Sequence, residues 1–242
     1  MNKMTVDYND IAQHYDCLVD QDINKQTFPY SGYQIIQDLI TDDISGKKKK
    51  ISILDLGCGT GKLYEHINPS KFSLTGIDIS SRMLEIAKKK YPSQQFFHFD
   101  ILKGLPSQIK NQSFDYIIIN YLMMHYSFKT TIDIIHFLIK RLNKQGRIII
   151  GDLLVMNPSA KQEFFCQHQD FADLDLHFHM YSQYVNKMSE QLALSFFEIN
   201  DYTGMMIIEN INEFTLHFED DLVKYKSNTV KWKSTHPRRK RE

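Results

Sequence analysis

Ile51-Ser52-Ile53-Leu54-Asp55-Leu56-Gly57-Cys58-Gly59-Thr60-Gly61 runs a buried-strand pattern into a glycine-rich turn, and the helix-like stretch Lys62 to Ile67 follows at once. Glycines at alternate positions let the backbone pass close to a ligand, because no Cβ intrudes and a positive φ carries no steric penalty. A nucleotide-like molecule can lie across such a turn. The spacing narrows the choice. A dinucleotide fingerprint needs G-x-G-x-x-G, and its last glycine falls on Lys62. A P-loop needs four residues between its glycines and a Gly-Lys-Ser/Thr ending, which is missing here. Neither phosphate motif fits.

Two later carboxylates occupy matching positions. Phe72-Ser73-Leu74-Thr75-Gly76-Ile77-Asp78 is an apolar strand ending on an acid, about 20 residues beyond the glycines, where a ribose-binding carboxylate belongs. Asp78 can accept from both hydroxyls of a ribose. Gln95-Phe96-Phe97-His98-Phe99-Asp100 again ends on an acid. Taken singly, Asp55 also reads as a turn acid, Asp78 as the cap of the helix starting near Ser80, and Asp100 as a loop carboxylate.

The Asp-x-Gly-x-Gly-x-Gly run of Asp55 to Gly61 resembles the first motif of class I S-adenosylmethionine-dependent methyltransferases, and the small-molecule branch that includes UbiE-like and YrrT-like enzymes in particular. The resemblance covers roughly Val6 to Asn210. It implies an α/β, Rossmann-like three-layer sandwich, with a mostly parallel seven-stranded sheet of order 3-2-1-4-5-7-6 that ends in an antiparallel C-terminal hairpin. The cofactor implied is S-adenosyl-L-methionine, with S-adenosyl-L-homocysteine as product. On this resemblance Asp55, Gly57, Cys58, Gly59 and Gly61 shape the turn facing the methionine part and ribose. Asp78 holds the ribose, Asp100 lies beside the adenine, and Ile79 and Ile101 sandwich that ring. Asn120 approaches the methionine end. Tyr8-Asn9-Asp10-Ile11-Ala12-Gln13-His14-Tyr15-Asp16 resembles the Tyr-Asp segment of these relatives, whose tyrosine closes over the cofactor, and Tyr15 is the residue carried over. Tyr15 and Tyr30 also read as core residues of a helical arm.

Composition sets the outer bounds. The chain has 242 residues, enough for one sizeable domain, and its 29 basic and 29 acidic side chains cancel. Nothing in that balance demands nucleic acid or an anionic membrane. The N-terminus shows no apolar signal region and no segment has the uninterrupted apolar length of a membrane span, so a cytoplasmic protein without a membrane partner is expected. Cys17, Cys58 and Cys166 are scattered and odd in number, which argues against a disulfide framework or a thiolate zinc site.

Periodicity alternates along the chain. Helices are expected over Ser31–Ile40, Leu63–Ile67, Ser81–Tyr91 and Thr131–Leu142. Strands are expected over Ile51–Leu56, Leu74–Ile79, Phe96–Asp100, Phe114–Asn120 and Arg147–Leu154, the last introduced by Gly146 as a helix C-cap. Such alternation implies right-handed crossovers and a parallel sheet covered on both faces. Leu194–Tyr202 and Met205–Asn210 read as a hairpin turning at Thr203-Gly204. The organisation expected is a helical lid over residues 1–45, a core over 46–211 with an insert at about 157–189 forming a pocket wall, and an extension with a basic tail over 212–242.

Methyl transfer from a sulfonium needs alignment and water exclusion more than a universal catalytic residue. By the open-sheet rule the site lies beyond the carboxyl ends of the first and fourth strands. The fourth ends in Asn120-Tyr121-Leu122-Met123-Met124-His125-Tyr126. His125 is the candidate catalytic base on the substrate side, or a histidine closing the loop. The Pro-Pro signature of enzymes that methylate nucleobase or glutamine amines is missing. Asp152 is expected to order the adjacent loop. Asp173, Asp175, His177 and His179 alternate as metal ligands can, but chance satisfies that spacing easily, and no metal is expected. The expected function is methyl transfer to a small-molecule substrate. Two alternatives stand beside it: a tRNA or rRNA methyltransferase using the basic stretch 231–241 as a nucleic-acid contact, and a non-catalytic S-adenosylmethionine-binding module. The sequence leaves the oligomeric state open.

Overall fold

The computed structural model describes residues 7–169, 175–190, 192–210 and the backbone of 231–234. The strands are β1 (Ile51–Leu56), β2 (Phe72–Asp78), β3 (Gln95–His98), β4 (Phe114–Asn120), β5 (Leu142–Val155), β6 (His179–Met180), β7 (Leu192–Glu198), β8 (Thr203–Asn210) and β9 (Lys231–Ser234). The helices are α1 (Tyr8–Ile11), α2 (Tyr15–Lys25), α3 (Tyr33–Ser45), α4 (Ser81–Lys90), α5 (Phe128–Leu138), α6 (Pro158–Gln167) and α7 (Tyr181–Met188). Strand order is β3-β2-β1-β4-β5-β8-β7-β9, with β6 beside the end of β5. Pairing is parallel from β3 to β5 and antiparallel through β8, β7 and β9. The seven-strand order expected from sequence is therefore present, and β9 extends it by one strand. That strand pairs with β7, whose outer backbone groups would otherwise form an open edge.

The central strands are apolar on both faces because both faces are covered. Ile53, Tyr116, Ile118, Ile149 and Ile207 pack with Ile36, Ile40 and Ile44 of α3 and Leu84 of α4. Their neighbours Leu54, Ile117, Ile119, Ile148 and Ile208 pack with Ile132, Ile135 and Leu138 of α5 and Tyr184 of α7. Strand periodicity sends alternate residues to opposite sides. Each such burial contributes about 1.5–3 kcal/mol.

Two glycines act differently from the sequence reading. Gly146 caps no helix. It lies inside β5 at a register shift against β4, and a Cβ there would sit 2.9 Å from the Phe114 carbonyl. The hairpin turns at Ile199 to Tyr202, where Asn200 Oδ1 accepts from Tyr202 N (3.1 Å) and Thr203 N (2.7 Å). Thr203 and Gly204 belong to β8, and a Cβ on Gly204 would lie 2.5 Å from the Leu154 carbonyl. In both cases glycine serves close approach of backbones rather than a turn. The helix expected after the glycine turn is one short 3-10 turn, Lys62–Tyr64.

A buried polar cluster pins α3 to the sheet. Asp43 Oδ2 accepts from Tyr116 Oη (2.6 Å) and Arg147 Nη1 (3.1 Å), and Arg147 Nη2 also meets Glu209 (3.0 Å). Asp43→Ala is expected to remove one of the two acids that balance the buried Arg147 guanidinium and to lower stability by about 3 kcal/mol, measured as a fall in chemical-denaturation midpoint. A change within about 0.5 kcal/mol would show that the cluster is dispensable.

Candidate active site

The glycine turn is held from beneath. Gly57 N and Cys58 N donate to the Ile77 carbonyl (2.8 and 3.1 Å), so the turn rests on the end of β2. Gly57, Gly59 and Gly61 all have positive φ. A Cβ on Gly57 would strike Leu122 at 2.9 Å, whereas one on Gly59 would meet nothing within 4 Å. Gly59 therefore borders open space. Its N–H donates to Asp78 Oδ2 (2.8 Å), and Asp78 Oδ1 accepts from Ser80 N (2.8 Å). A carboxylate has about four lone-pair sites, so both oxygens keep capacity for further donors. Burial raises the pKa of Asp78, and the backbone bonds from Ser80 and Gly59 oppose it.

Beyond β1 and β4 lies a small, partly open cavity. Among the residues expected from sequence it collects Tyr15, Asp55, Gly57, Cys58, Gly59 and Asn120; Tyr33, Thr60, Lys62 and Leu63 complete the lining. Asn120 Oδ1 is buried without a hydrogen-bond partner. Burial pushes Asp55 up to about 8, with the Tyr64 hydroxyl, close by but outside bonding geometry, opposing and Asp78 reinforcing. Burial also raises the Cys58 thiol well above its ordinary range.

The remaining expected residues stand outside that lining. Gly61 faces the Tyr91 ring. Ile79 is 64% exposed, and Leu102, 57% exposed, is a second large apolar side chain open to solvent near Asp100. Ile101 is buried in the core on the α5 side. Asp100 caps a 3-10 turn by accepting from Leu102 N (3.0 Å). His125 lies further along, its Nε2 2.9 Å from the Tyr8 hydroxyl.

The loop after β4 is fixed on several sides. Tyr121 has φ 51, a left-handed backbone that costs a non-glycine residue about 1–2 kcal/mol. It is retained because Tyr121 N donates to the Gly151 carbonyl (2.8 Å) and its ring stacks on Tyr33 at 5.7 Å. Asp152 Oδ2 accepts from Met123 N (2.6 Å) and Met124 N (3.3 Å), so it orders this loop. Burial raises Asp152 to about 7 against those bonds. His179 has both ring nitrogens engaged, by the Met123 carbonyl and the Tyr184 hydroxyl (2.8 Å each). Asp173 lies outside the described residues.

The N-terminal arm spans the turn. Asp16 meets Thr60 Oγ1 (2.5 Å) and Lys90 Nζ (2.6 Å), and Asp20 meets Lys62 Nζ (2.8 Å), a lysine whose side chain is only 6% exposed. Asn9 Oδ1 accepts from Ser80 Oγ (2.9 Å). The sequence reading does not single these pairs out. Each joins two charged or polar residues far apart in the chain, and no local pattern marks them.

An open sheet with a glycine turn on its first strand, an acid on its second and no phosphate-binding loop defines the nucleoside-binding methyltransferase architecture. Residues 47–234 match the family model described as "Methyltransferase domain". An uncharacterized methyltransferase of Alkaliphilus oremlandii is 31% identical over 153 residues, 63% of this chain and 68% of that protein. A ubiquinone/menaquinone biosynthesis C-methyltransferase of Campylobacter jejuni is 35% identical over 81 residues, 31% of this chain and 33% of its own length. The magnesium protoporphyrin IX methyltransferase of Synechocystis, solved with bound S-adenosylhomocysteine, has a TM-score of 0.61 at 15% identity over 83% of this chain and 96% of that one. At such identity the likeness concerns the fold. The chain belongs to the class I S-adenosylmethionine-dependent methyltransferases, and its cofactor is S-adenosylmethionine. No helix among the described residues is long and apolar enough to cross a membrane.

The buried acids give stability a pH dependence of definite sign. A carboxyl group whose pKa is raised by folding binds its proton more tightly in the native state, so stability falls as pH rises from the unfolded to the folded value. Asp55 and Asp152, at about 8 and about 7, act this way up to about pH 8. His179, lowered to about 4, acts oppositely below its ordinary value of 6.5. Between pH 6.5 and 8 the acids prevail. The thermal midpoint is expected to fall across that interval, and Asp55→Asn to flatten the fall. A midpoint that rises there would contradict the burial of these carboxyls.

Proposed function

We propose that this protein transfers the methyl group of S-adenosylmethionine to a small-molecule acceptor by direct displacement, in the cavity beneath the N-terminal arm. The observation that carries this reading is Gly59: its backbone borders open space, and its N–H is fixed by Asp78, the carboxylate suited to a ribose. The residues present fit the cofactor. Asn120 brings an unpartnered buried amide oxygen to the same cavity, where a methionine ammonium would find an acceptor.

Asp55, Gly57, Cys58 and Gly59 form the floor, with Gly61 closing the turn on Tyr91. Asp78 binds the ribose hydroxyls through its free lone pairs. Asp100 and the exposed apolar surface of Ile79 and Leu102 address the adenine, while Ile101, buried in the core, supports that loop from beneath. Tyr15 and Asn120 hold the methionine end. The bound cofactor supplies a sulfonium that already activates its methyl group. The protein's share is alignment and exclusion of water.

Of the 1–45 segment expected as a lid, α1 and α2 take that role, whereas α3 packs on the sheet as one of its covering helices. The Asp16 and Asp20 contacts hold the arm over the turn, and a cavity narrowed in this way suits a small acceptor better than a polymer. The insert 157–189 supplies another wall, where Phe164 and Phe178 stack with Phe28. His125 takes the substrate side as base. Burial lowers its pKa, His177 adds to that, and Asp175 opposes it, so the ring is neutral and able to accept a proton at neutral pH.

Isothermal titration with S-adenosylhomocysteine checks the assignment. Binding in the micromolar range is expected for the natural chain, with at least about a 100-fold loss for Asp78→Ala, equivalent to about 2.7 kcal/mol. Equal affinity in the two proteins would remove the ribose role from Asp78.

A further inference from the structure

The lid carries a polar group, the Tyr8 hydroxyl, that the roles above leave unused. Tyr8 opens α1 and places its hydroxyl 2.9 Å from His125 Nε2, with its ring edge-on to the imidazole at 5.5 Å and 83°. On its other side the Tyr8 ring meets that of Tyr15 at 6.2 Å, and Tyr15 lines the cofactor cavity. The phenol therefore bridges the space between the cavity and the histidine.

Both ends of this bridge are held by other elements. Asn9, adjacent to Tyr8, anchors α1 on the start of α4 through Ser80 Oγ and Arg82 N (3.3 Å). His125 sits in the turn whose N–H groups are fixed by Asp152, and His177 N donates to the Met124 carbonyl beside it (2.7 Å). The groups facing the pair are Tyr30, Asp152 and Asp78 around Tyr8, and His177 and Asp175 around His125. Burial, reinforced by Tyr30 and by the two carboxylates, pushes the Tyr8 phenol far above its ordinary range, so it keeps its proton. A protonated phenol can donate to Nε2 or, toward its other neighbour, to the Tyr30 hydroxyl; donation to Nε2 puts the proton of the neutral imidazole on Nδ1.

We propose that Tyr8 and His125 form one composite proton acceptor that exists only when the lid is closed, Tyr8 relaying the proton of the methyl acceptor to His125. The inference rests on the methyltransferase reading of the site. In the step, a lone pair of the acceptor forms the new bond to the methyl carbon, and the carbon–sulfur pair stays on sulfur. The acceptor's own O–H or N–H proton moves to the Tyr8 oxygen as the Tyr8 proton passes to Nε2. The positive charge that leaves sulfur reappears on the imidazolium, and atoms and charge balance. The acceptor class follows: a small molecule bearing a hydroxyl or amine that must lose a proton. Placing one half of the pair on α1 also ties proton acceptance to closure, so an open site with water in it has no assembled base.

Nitrogen-15 NMR of the His125 ring, in the free protein and with S-adenosylhomocysteine, tests the pair. The natural chain is expected to show the Nδ1–H tautomer and a titration midpoint below 6.5. Tyr8→Phe removes the donor that favours the neutral ring, so the midpoint should rise by about half a unit and the tautomer preference should be lost. Asn9→Ala frees α1 without touching either ring and should shift the midpoint in the same direction. Thermal midpoints report whether each variant is folded. Identical His125 titrations in the natural chain and Tyr8→Phe, or an Nε2–H tautomer in the natural chain, would overturn the proposal. Should S-adenosylhomocysteine fail to bind, the cofactor assignments fall, while the comparison in the free protein still decides the pair.

Discussion

The hydrogen bond from the Gly59 N–H to the Asp78 carboxylate joins the two sequence features on which the site is built. It requires β1 and β2 to be parallel neighbours ending at the same level, which their register provides by pairing Leu56 with Ile77. It also requires a turn without side chains. Leu122 presses on Gly57 from one side, and the space beyond Gly59 stays open on the other. The apolar layers on both faces of the sheet fix the strand ends, and the strand ends fix the turn. Displacement of one strand by a single residue would send its inward side chains to the opposite face and break this junction.

Around that junction the polar groups divide by what holds them. Asp152 and His179 spend their hydrogen bonds on the loop after β4, so they shape the acceptor side without needing to reach it. The arm is attached differently, through ion pairs to Lys62 and Lys90 and through hydrogen bonds from Thr60 to Asp16 and from Ser80 to Asn9. Such contacts are individually weaker than packed apolar surface and are screened by salt where exposed. The arm also packs apolar side chains, Val19 among them, on the same core, so polar and apolar contacts together hold it over the turn.

The parts legible in the sequence are those specified locally. Asp55 to Gly61, the acid ending β2 and the apolar run of β4 each announce themselves within a few residues, and their alternation with helices implies a parallel sheet, whereas the strand order comes only with the family resemblance. Gly146 and Gly204 misled because a glycine needed for backbone proximity looks the same as one needed for a turn. The strand at Lys231–Ser234 is four residues long, too short for periodicity to show, and the rest of the basic tail through Arg241 lies outside the described residues. The contact of Tyr8 with His125 spans 117 positions, and the ion pairs of the arm are similarly remote, so only the folded chain reveals them. Tyr15 and Asn120 needed the family resemblance to stand out, and the cavity brings them together.

The most direct measurement is a crystal structure of the protein with S-adenosylhomocysteine. The nucleoside is expected to lie across Gly57 to Gly61, with both ribose hydroxyls on Asp78 and the methionine end between Tyr15 and Asn120. A ligand bound elsewhere, or a cleft left empty at saturating ligand, would contradict that placement.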